Sequence, residues 1–378
     1  MIICFNCSPE TKELLDKLLK TSQYTDYAEA ISIAVANQAI LQEQISKNGS
    51  LVIDEVPSLI SQSFNLIKEL SIGRSKPQGT TNIKVEDHLV NRSSEIPPIF
   101  LLDGLNNSIP SIAHLPADFW TRGQEVPLDR WLFGQYNKLL PAKANCRALA
   151  HLLQNDTKGV TLEDAILKIA DEAIILGELL SRHDEVNKVS RDDALATAFP
   201  CGSEKADKGR VRYANHFIAS VNKQGQVSGL LIDLKLINFK AGKIPRLLLT
   251  DIGRQFSILR NPILDGEQES PAQKFTKEEV AFLLDHITRN VPVEDFAYRA
   301  ILIAILEGAN TPDHIDRVLQ KYVPKDTNRN LSNSFLSSQR SGAISRMADL
   351  GLVERVRDGV KVSYSVTDSG KQYMEKVQ

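Results

Sequence analysis

The seven-residue stretch TDIGRQF, at Thr250–Phe256, returns as TDSGKQY at Thr367–Tyr373, 117 residues later. Each copy follows a helical stretch, the pattern Asp-Leu-x-Leu with Ile or Val next, and a basic segment with the alternation of a hairpin. An internal repeat at a fixed spacing indicates a duplicated structural unit. Each threonine stands where it can cap a helix after the hairpin, so we expect the repeat to be structural and to mark the end of each unit.

The second copy has the clearer pattern. Residues 293–306 are apolar with helical spacing, and Thr311 and Pro312 are typical of the cap and first turn of another helix. The stretch SFLSSQRSGAISRMADL predicts a third helix over Ser334–Leu350. Gly351 is placed to end that helix in a left-handed conformation.

This order of elements resembles a winged helix-turn-helix domain over residues 290–378. It includes the Leu-Gly-Leu-Val exit, a hairpin with Asp-Gly at 358–359, and the Thr-Asp-x-Gly closure. The resemblance implies that Ser334–Leu350 is a recognition helix in the DNA major groove and that the hairpin is a wing against phosphates or the minor groove. The residues implied in DNA contact are Ser338, Gln339, Arg340, Ser345 and Arg346 on the helix, and Arg355, Arg357 and Lys361 on the wing. A winged-helix fold used for protein contacts is the alternative.

The first copy is less regular. Helical spacing predicts helices at 208–221 and 226–236, and Asn238–Arg246 corresponds to the wing. Between residues 204 and 265 there are about 11 Lys or Arg against about 5 Asp or Glu, which favours phosphate contact. A basic face that meets only solvent is the alternative. The candidate DNA-contacting residues of this copy are Gln226, Lys240, Lys243 and Arg246.

The N-terminal residues follow another pattern. A short alternating strand precedes the helical stretches SPETKELLDKLL and YTDYAEAISIAVAN, and this order resembles a ribbon-helix-helix module over about the first 45 residues. In that family two chains pair their strands into a ribbon that enters the major groove. Asn6 is the outward ribbon residue able to read a base edge. Because the segment is net acidic, the resemblance favours a homodimerisation module, and it indicates a prokaryotic protein.

The whole sequence predicts an α+β protein that is mostly α. We expect a ribbon-helix-helix-like module at 1–50, an amphipathic helix at 51–72, a linker at 73–98, a central winged-helix domain with a helical extension at 99–265, and a C-terminal winged-helix domain at 275–378. The net charge is −2, so nucleic-acid binding would depend on local patches. No signal peptide or membrane-spanning stretch is evident, and four cysteines fit the cytoplasm, where we expect the protein.

A group of aromatic residues lies near position 130. The closeness in sequence of four rings predicts an aromatic core cluster of Trp120, Trp131, Phe133 and Tyr136. Stacking of these rings on exposed bases is the alternative.

No motif indicates catalysis. The sequence has no Gly-rich phosphate loop, nucleophile elbow or zinc-protease helix. Cys4 and Cys7 form a CxxC pair without the further ligands that a structural zinc site needs. We interpret the His-Asp-Glu sequence at 183–185 as a helix end and the Asp-Asp pair at 192–193 as a surface helix start. We therefore expect no enzymatic activity, no metal and no cofactor.

The patterns together predict sequence-specific, non-catalytic binding of double-stranded DNA by a homodimer. Such a protein would act as a transcription regulator or as the DNA-recognition subunit of a larger complex. Tandem winged-helix units also resemble plasmid or viral replication initiators and partition proteins. A further alternative is a scaffold subunit of an antiviral defence complex, whose winged helices contact other protein subunits.

Overall fold

The computed structural model describes residues 95–376 apart from 107, 118, 202–205, 223–224, 241–245, 326–330 and 360. The predicted module at 1–50, the amphipathic helix at 51–72 and nearly all of the predicted linker lie outside the described residues. The described residues belong to one compact unit. They form an α+β structure that is mostly α, as the sequence predicted.

Helices dominate the described residues. In chain order they are α1 (Leu140–Asn155), α2 (Leu162–Val186), α3 (Ala206–Tyr213), α4 (Leu230–Asp233), α5 (Asp251–Ile258), α6 (Lys277–Asn290), α7 (Pro292–Leu306), α8 (Pro312–Leu319), α9 (Asn333–Asp349) and α10 (Asp368–Glu375). Single 3-10 turns lie at Pro98–Phe100, Leu128–Arg130, Leu195–Ala198 and Gln320–Tyr322, and a π-helical turn at Ala214–Ile218.

The strands of the described residues are short and form small sheets. They are β1 (Ser111–Ile112), β2 (Val160–Thr161), β3 (Ser220–Val221), β4 (Val227–Ser228), β5 (Ile237–Lys240), β6 (Arg246–Thr250), β7 (Val353–Asp358) and β8 (Lys361–Val366). Strand β6 pairs in parallel with β1 and antiparallel with β2 and β5. The pairs β3–β4 and β7–β8 are antiparallel hairpins. The first copy thus runs from α1 to α5, and the second from α7 to α10.

The two copies make the same capping hydrogen bonds. In the first copy, the Thr250 side chain accepts from the Gly253 amide at 3.0 Å and donates to the Lys235 carbonyl at 2.9 Å. In the second copy, Thr367 makes the equivalent pair of bonds at 3.0 and 2.6 Å. The repeated threonine therefore caps the closing helix, α5 or α10, and ties it to the residue two positions before the first strand of the hairpin. This confirms that the repeat is structural.

A glycine lies three residues after each capping threonine because the closing helix packs directly on a backbone carbonyl group there. A Cβ atom built on Gly253 would lie 1.9 Å from the Leu236 oxygen, and one on Gly370 would lie 2.3 Å from the Leu352 oxygen. Both distances are far below van der Waals contact, so these positions have no room for a side chain.

Two residues before the first strand of each hairpin, the backbone adopts a left-handed conformation. Gly351 has a φ of +69°, which confirms the predicted helix end, and the equivalent Lys235 has a φ of +55°. A non-glycine residue in this region costs about 1–2 kcal/mol. The first copy therefore makes the same left-handed turn with a lysine instead of glycine, the residue that adopts this conformation most easily.

The predicted element bounds hold closely in the second copy and less well in the first. Helices α7 and α9 and the β7–β8 hairpin lie where they were predicted. The predicted helix at 226–236 is wrong for most of its length, because its start forms β4 and only α4 is helical. The range predicted as one helix at 208–221 holds three successive elements: the end of α3, the π-helical turn and β3. The counterpart of α9 in the first copy is thus a single helical turn, α4.

A segment that precedes α1 lies across α9 and joins the two copies; we call residues 128–139 the covering segment. Trp131 and Tyr136 in it are buried, which confirms the predicted core position of these rings, whereas Phe133 is 41% exposed. A Cβ atom built on Gly342 of α9 would lie 2.4 Å from the Gly134 oxygen, so this crossing depends on two glycines.

Candidate nucleic-acid interface

The hairpin predicted to be the wing of the second copy is β7–β8, and we use "the wing" for these two strands and their turn. Asp358 pairs with Lys361 next to the turn, where Gly359 has a φ of +60°. Arg355 and Arg357 are two residues apart on β7, so their side chains leave the same face of the hairpin. Arg357 and Lys361 are exposed and Arg355 is partly buried. Three cationic side chains therefore lie on one small hairpin.

One carboxylate from the first copy binds both wing arginines. Asp192, in the loop after α2, accepts from Arg355 at 2.5 Å and from Arg357 at 2.6 and 2.9 Å. The hydrogen bonds from Arg357, aided by the charge of Arg355, lower the pKa of Asp192 to about 2. The positive charge of the wing is thus partly neutralised within the chain.

A pocket of about 540 Å³ borders this contact. Lys274 lines it, and Lys138 donates to the backbone oxygen of Asp192 at 2.7 Å. Both lysines approach one carboxylate oxygen of Asp349, at 2.8 and 3.8 Å. Burial lowers the pKa of Lys138, and the charge of Lys274 acts in the same direction. The Nε of Arg355 is buried and has no acceptor among the described residues.

Two of the long polar side chains predicted to read bases from α9, Gln339 and Arg346, face the protein interior. Gln339 is 2% exposed and donates to two carbonyl oxygens of the covering segment, at 3.2 and 3.3 Å. Arg346 is 1% exposed, pairs with Glu294 at 2.5 Å and donates to a third carbonyl of the covering segment at 2.5 Å. The side-chain nitrogen of Gln339 and the guanidinium of Arg346, which were expected to reach DNA, thus bind partners within the chain, while the buried Oε1 of Gln339 has no partner among the described residues.

The other candidates on α9 are also largely enclosed. Arg340 is buried against Asp316 of α8 at 2.6 Å, Ser345 is buried, and Ser338 is partly buried with its backbone against Gly134. The expectation that these side chains face outward is therefore corrected. The reason is that the core of the second copy covers one side of α9 and the covering segment lies over another.

The candidates in the first copy are dispersed. Lys240 is exposed at the end of β5. Arg246 turns toward its own chain and pairs with Asp156 at 3.1 Å. Gln226 is exposed in the turn between β3 and β4 rather than on a helix. The remaining candidates, Lys243 and Asn6, lie outside the described residues.

Sequence reasoning missed the role of Asp192. It was interpreted as part of a surface helix start, but it lies in a loop and pairs with an arginine 165 positions away. No local pattern could have indicated this contact. The exposed cations Lys208 and Arg212 of α3 were counted only as part of a basic stretch, and Arg212 donates to Gln135 at 2.8 Å.

The described residues offer no group of three or more His, Cys, Asp or Glu side chains placed to bind a metal ion. Asp184, in the predicted helix end at 183–185, accepts from the amides of Leu195 and Ala196 at 3.1 and 3.0 Å. It therefore fastens the turn that follows α2. Within the same residues, no helix has both the length and the apolar character needed to cross a lipid bilayer.

Similarity to known proteins does not assign the chain to a family. No protein-family model matches it, and no curated protein or solved structure matches it significantly.

Proposed function

We propose that this chain is a non-catalytic protein that binds double-stranded DNA through two related winged-helix units, with the wings against the phosphate backbone. The observation that carries the proposal is the β7–β8 hairpin with Arg355, Arg357 and Lys361. Guanidinium groups match the geometry of phosphate oxygens and can bind them at two points. Phosphate contacts supply the sequence-independent part of DNA affinity.

The order of elements supports the winged-helix assignment. In the second copy, α7, α8 and α9 precede the wing, and the Tyr364 amide of β8 donates to the carbonyl of Asn310 at 2.8 Å. Asn310 lies between the first two helices of that copy. In the first copy, β2 lies between α1 and α2 and pairs with β6 in the corresponding way.

The position of α9 limits the mode of binding that we propose. Base reading by α9 requires the covering segment to move away, because Gln339 and Arg346 bond to that segment. In the described arrangement, binding should depend mainly on phosphates and discriminate weakly among sequences. A homodimer acting as a transcription regulator or as a DNA-recognition subunit would select its sequence only after the covering segment has moved away from α9.

Fluorescence anisotropy with a labelled duplex tests the proposal at low and at physiological salt. Replacing Arg357 and Lys361 together by alanine should weaken binding about tenfold at low salt and reduce the slope of log K against log salt by about two, because two phosphate contacts are lost. The matched control replaces Arg260 and Arg289, two exposed arginines on other parts of the chain, and should leave both quantities nearly unchanged. Equal behaviour of the two double variants would contradict the proposal.

A protein-interaction scaffold is the second candidate. The observation that favours it is that the covering segment already uses the outer side of α9 for a protein contact. The side chains of Ile303 and Leu306, on α7, are exposed apolar groups that a partner subunit would cover. This function would be supported if the pure protein bound no duplex at low salt and a defined partner co-purified in fixed stoichiometry.

A further inference from the structure

The wing holds the Asp192 carboxylate in the way that it would hold a phosphate group. Arg355 binds Oδ1 at 2.5 Å, and Arg357 binds Oδ2 at 2.6 Å and Oδ1 at 2.9 Å. Both oxygens are used, and Arg357 bonds at two points, as guanidinium groups do on phosphate.

The wing also has binding capacity that Asp192 leaves unused. The buried Nε of Arg355 has no acceptor. Two guanidinium groups around one carboxylate leave a net positive charge beside the adjoining 540 Å³ pocket. A backbone phosphodiester also has two charged oxygens, but they belong to a tetrahedral rather than a planar group, so they can meet donors that the aspartate does not reach.

We propose that Asp192 occupies the DNA-phosphate site of the wing, so that binding of the backbone to the wing and the contact with Asp192 exclude each other. This inference rests on the proposed function, because the phosphate in question is that of duplex DNA. Asp192 belongs to the first copy and the wing to the second. Phosphate binding to the wing would therefore break one contact between the two copies.

The contact is exposed enough to exchange. The side chains of Asp192 and Arg357 are 23% and 51% exposed, and Asp192 lies in a loop. An ion pair that is open to solvent is screened by salt, and a competing anion can replace its carboxylate without unfolding the protein. The inference therefore predicts a modest increase in DNA affinity when Asp192 is removed.

The neighbouring Asp193 provides a matched control for charge. Its carboxylate accepts from the Ser190 hydroxyl at 2.8 Å, within its own loop. Asp192→Asn and Asp193→Asn each remove one negative charge, and the two positions are adjacent. Only Asp192 pairs with Arg355 and Arg357. A general electrostatic effect would appear in both variants.

Duplex binding at low salt gives the first test. Asp192→Asn should lower Kd about threefold to tenfold, whereas Asp193→Asn should change it by less than about twofold. The gain should disappear when Arg355 and Arg357 are also replaced by alanine. The inference is overturned if the two asparagine variants bind alike, or if the gain persists without the arginines.

Titration with inorganic phosphate gives a test that does not need DNA, read from the Nε–Hε NMR signals of Arg355 and Arg357. These signals should respond at a phosphate concentration about threefold to tenfold lower in Asp192→Asn than in the unmodified protein or in Asp193→Asn. If phosphate binds in this way but no variant binds a duplex, the proposed function is wrong and the anion site stands. If the unmodified protein binds a duplex but Asp192→Asn behaves like Asp193→Asn in both tests, the inference is wrong and the proposed function stands.

Discussion

At the scale of single residues, the buried pair of Arg346 and Glu294 is the most consequential contact. Its two hydrogen bonds measure 2.5 and 2.9 Å, and both side chains are almost fully enclosed. Removing charges from water costs much of what their attraction returns, so such a pair adds little net stability, yet breaking it is costly.

Replacement of Arg346 by alanine should therefore lower the free energy of unfolding by roughly 3–5 kcal/mol, because Glu294 is left charged and buried without a partner. Denaturant unfolding at neutral pH measures the change. The control is the double variant Arg346→Met with Glu294→Met, which removes both charges and should cost much less. A double variant as unstable as Arg346→Ala would show that lost packing, not the unpaired charge, causes the effect.

At the scale of elements, the glycine three residues after each capping threonine should not tolerate even an alanine side chain. Gly253→Ala and Gly370→Ala should each destabilise the protein by roughly 1–3 kcal/mol, since a Cβ atom at either site overlaps a carbonyl oxygen. Gly209 lies inside α3, where the nearest atom is 3.5 Å from a built Cβ. Gly209→Ala should leave stability unchanged or slightly higher. Thermal unfolding of the three variants checks this, and similar losses at all three positions would contradict it.

Elements with local sequence signals were predictable, and those set by distant contacts were not. Gly351 and the Asp-Gly turn at 358–359 act within a few residues, so the end of α9 and the hairpin follow from the sequence. The apolar spacing over 226–236 suits a strand or a helix, and Gly229, with a φ of +134°, interrupts the predicted helix. The exposed face of α9 was misjudged because its partners lie 208 to 211 positions away.

The wing illustrates the same limit for the candidate site. Its three cations were predicted from the hairpin pattern, and Arg357 and Lys361 are exposed as expected. No local sequence pattern indicates their neutralising partner, Asp192, because the loop after α2 meets β7 only in the folded chain. DNA contact by these residues stays a prediction.

At the scale of the whole molecule, the junction between the copies contains a group that titrates near neutral pH. Burial raises the pKa of Asp233, at the end of α4, to about 6, although Tyr136 of the covering segment is hydrogen-bonded to it. The unfolded value is about 3.9. Between about pH 4 and pH 6 the folded protein keeps a proton that the unfolded chain releases, so this group lowers stability as pH rises through that window.

Asp233→Asn should therefore gain roughly 2 kcal/mol of stability relative to the unmodified protein between pH 4 and pH 7, because the amide does not ionise. Urea unfolding across this pH range measures the difference between the two proteins. Asp171→Asn, at an exposed pair with Arg210, is the control and should run parallel to the unmodified protein. If stability against pH ran parallel for Asp233→Asn and the unmodified protein, the proposed effect of the raised Asp233 pKa on stability would be ruled out.

The covering segment also determines the order in which the protein can form during synthesis. Its contacts with α9 span about 210 positions, so it leaves the ribosome long before its partner exists. At roughly 5–20 residues per second, the delay is on the order of ten to forty seconds. During that time the ring of Trp131 lacks Phe296 and Tyr322, the two rings of the second copy that it contacts in the folded protein. The nascent chain thus passes through a stage in which an apolar ring lacks its partners, and chaperones bind such exposed apolar surface until the second copy is translated.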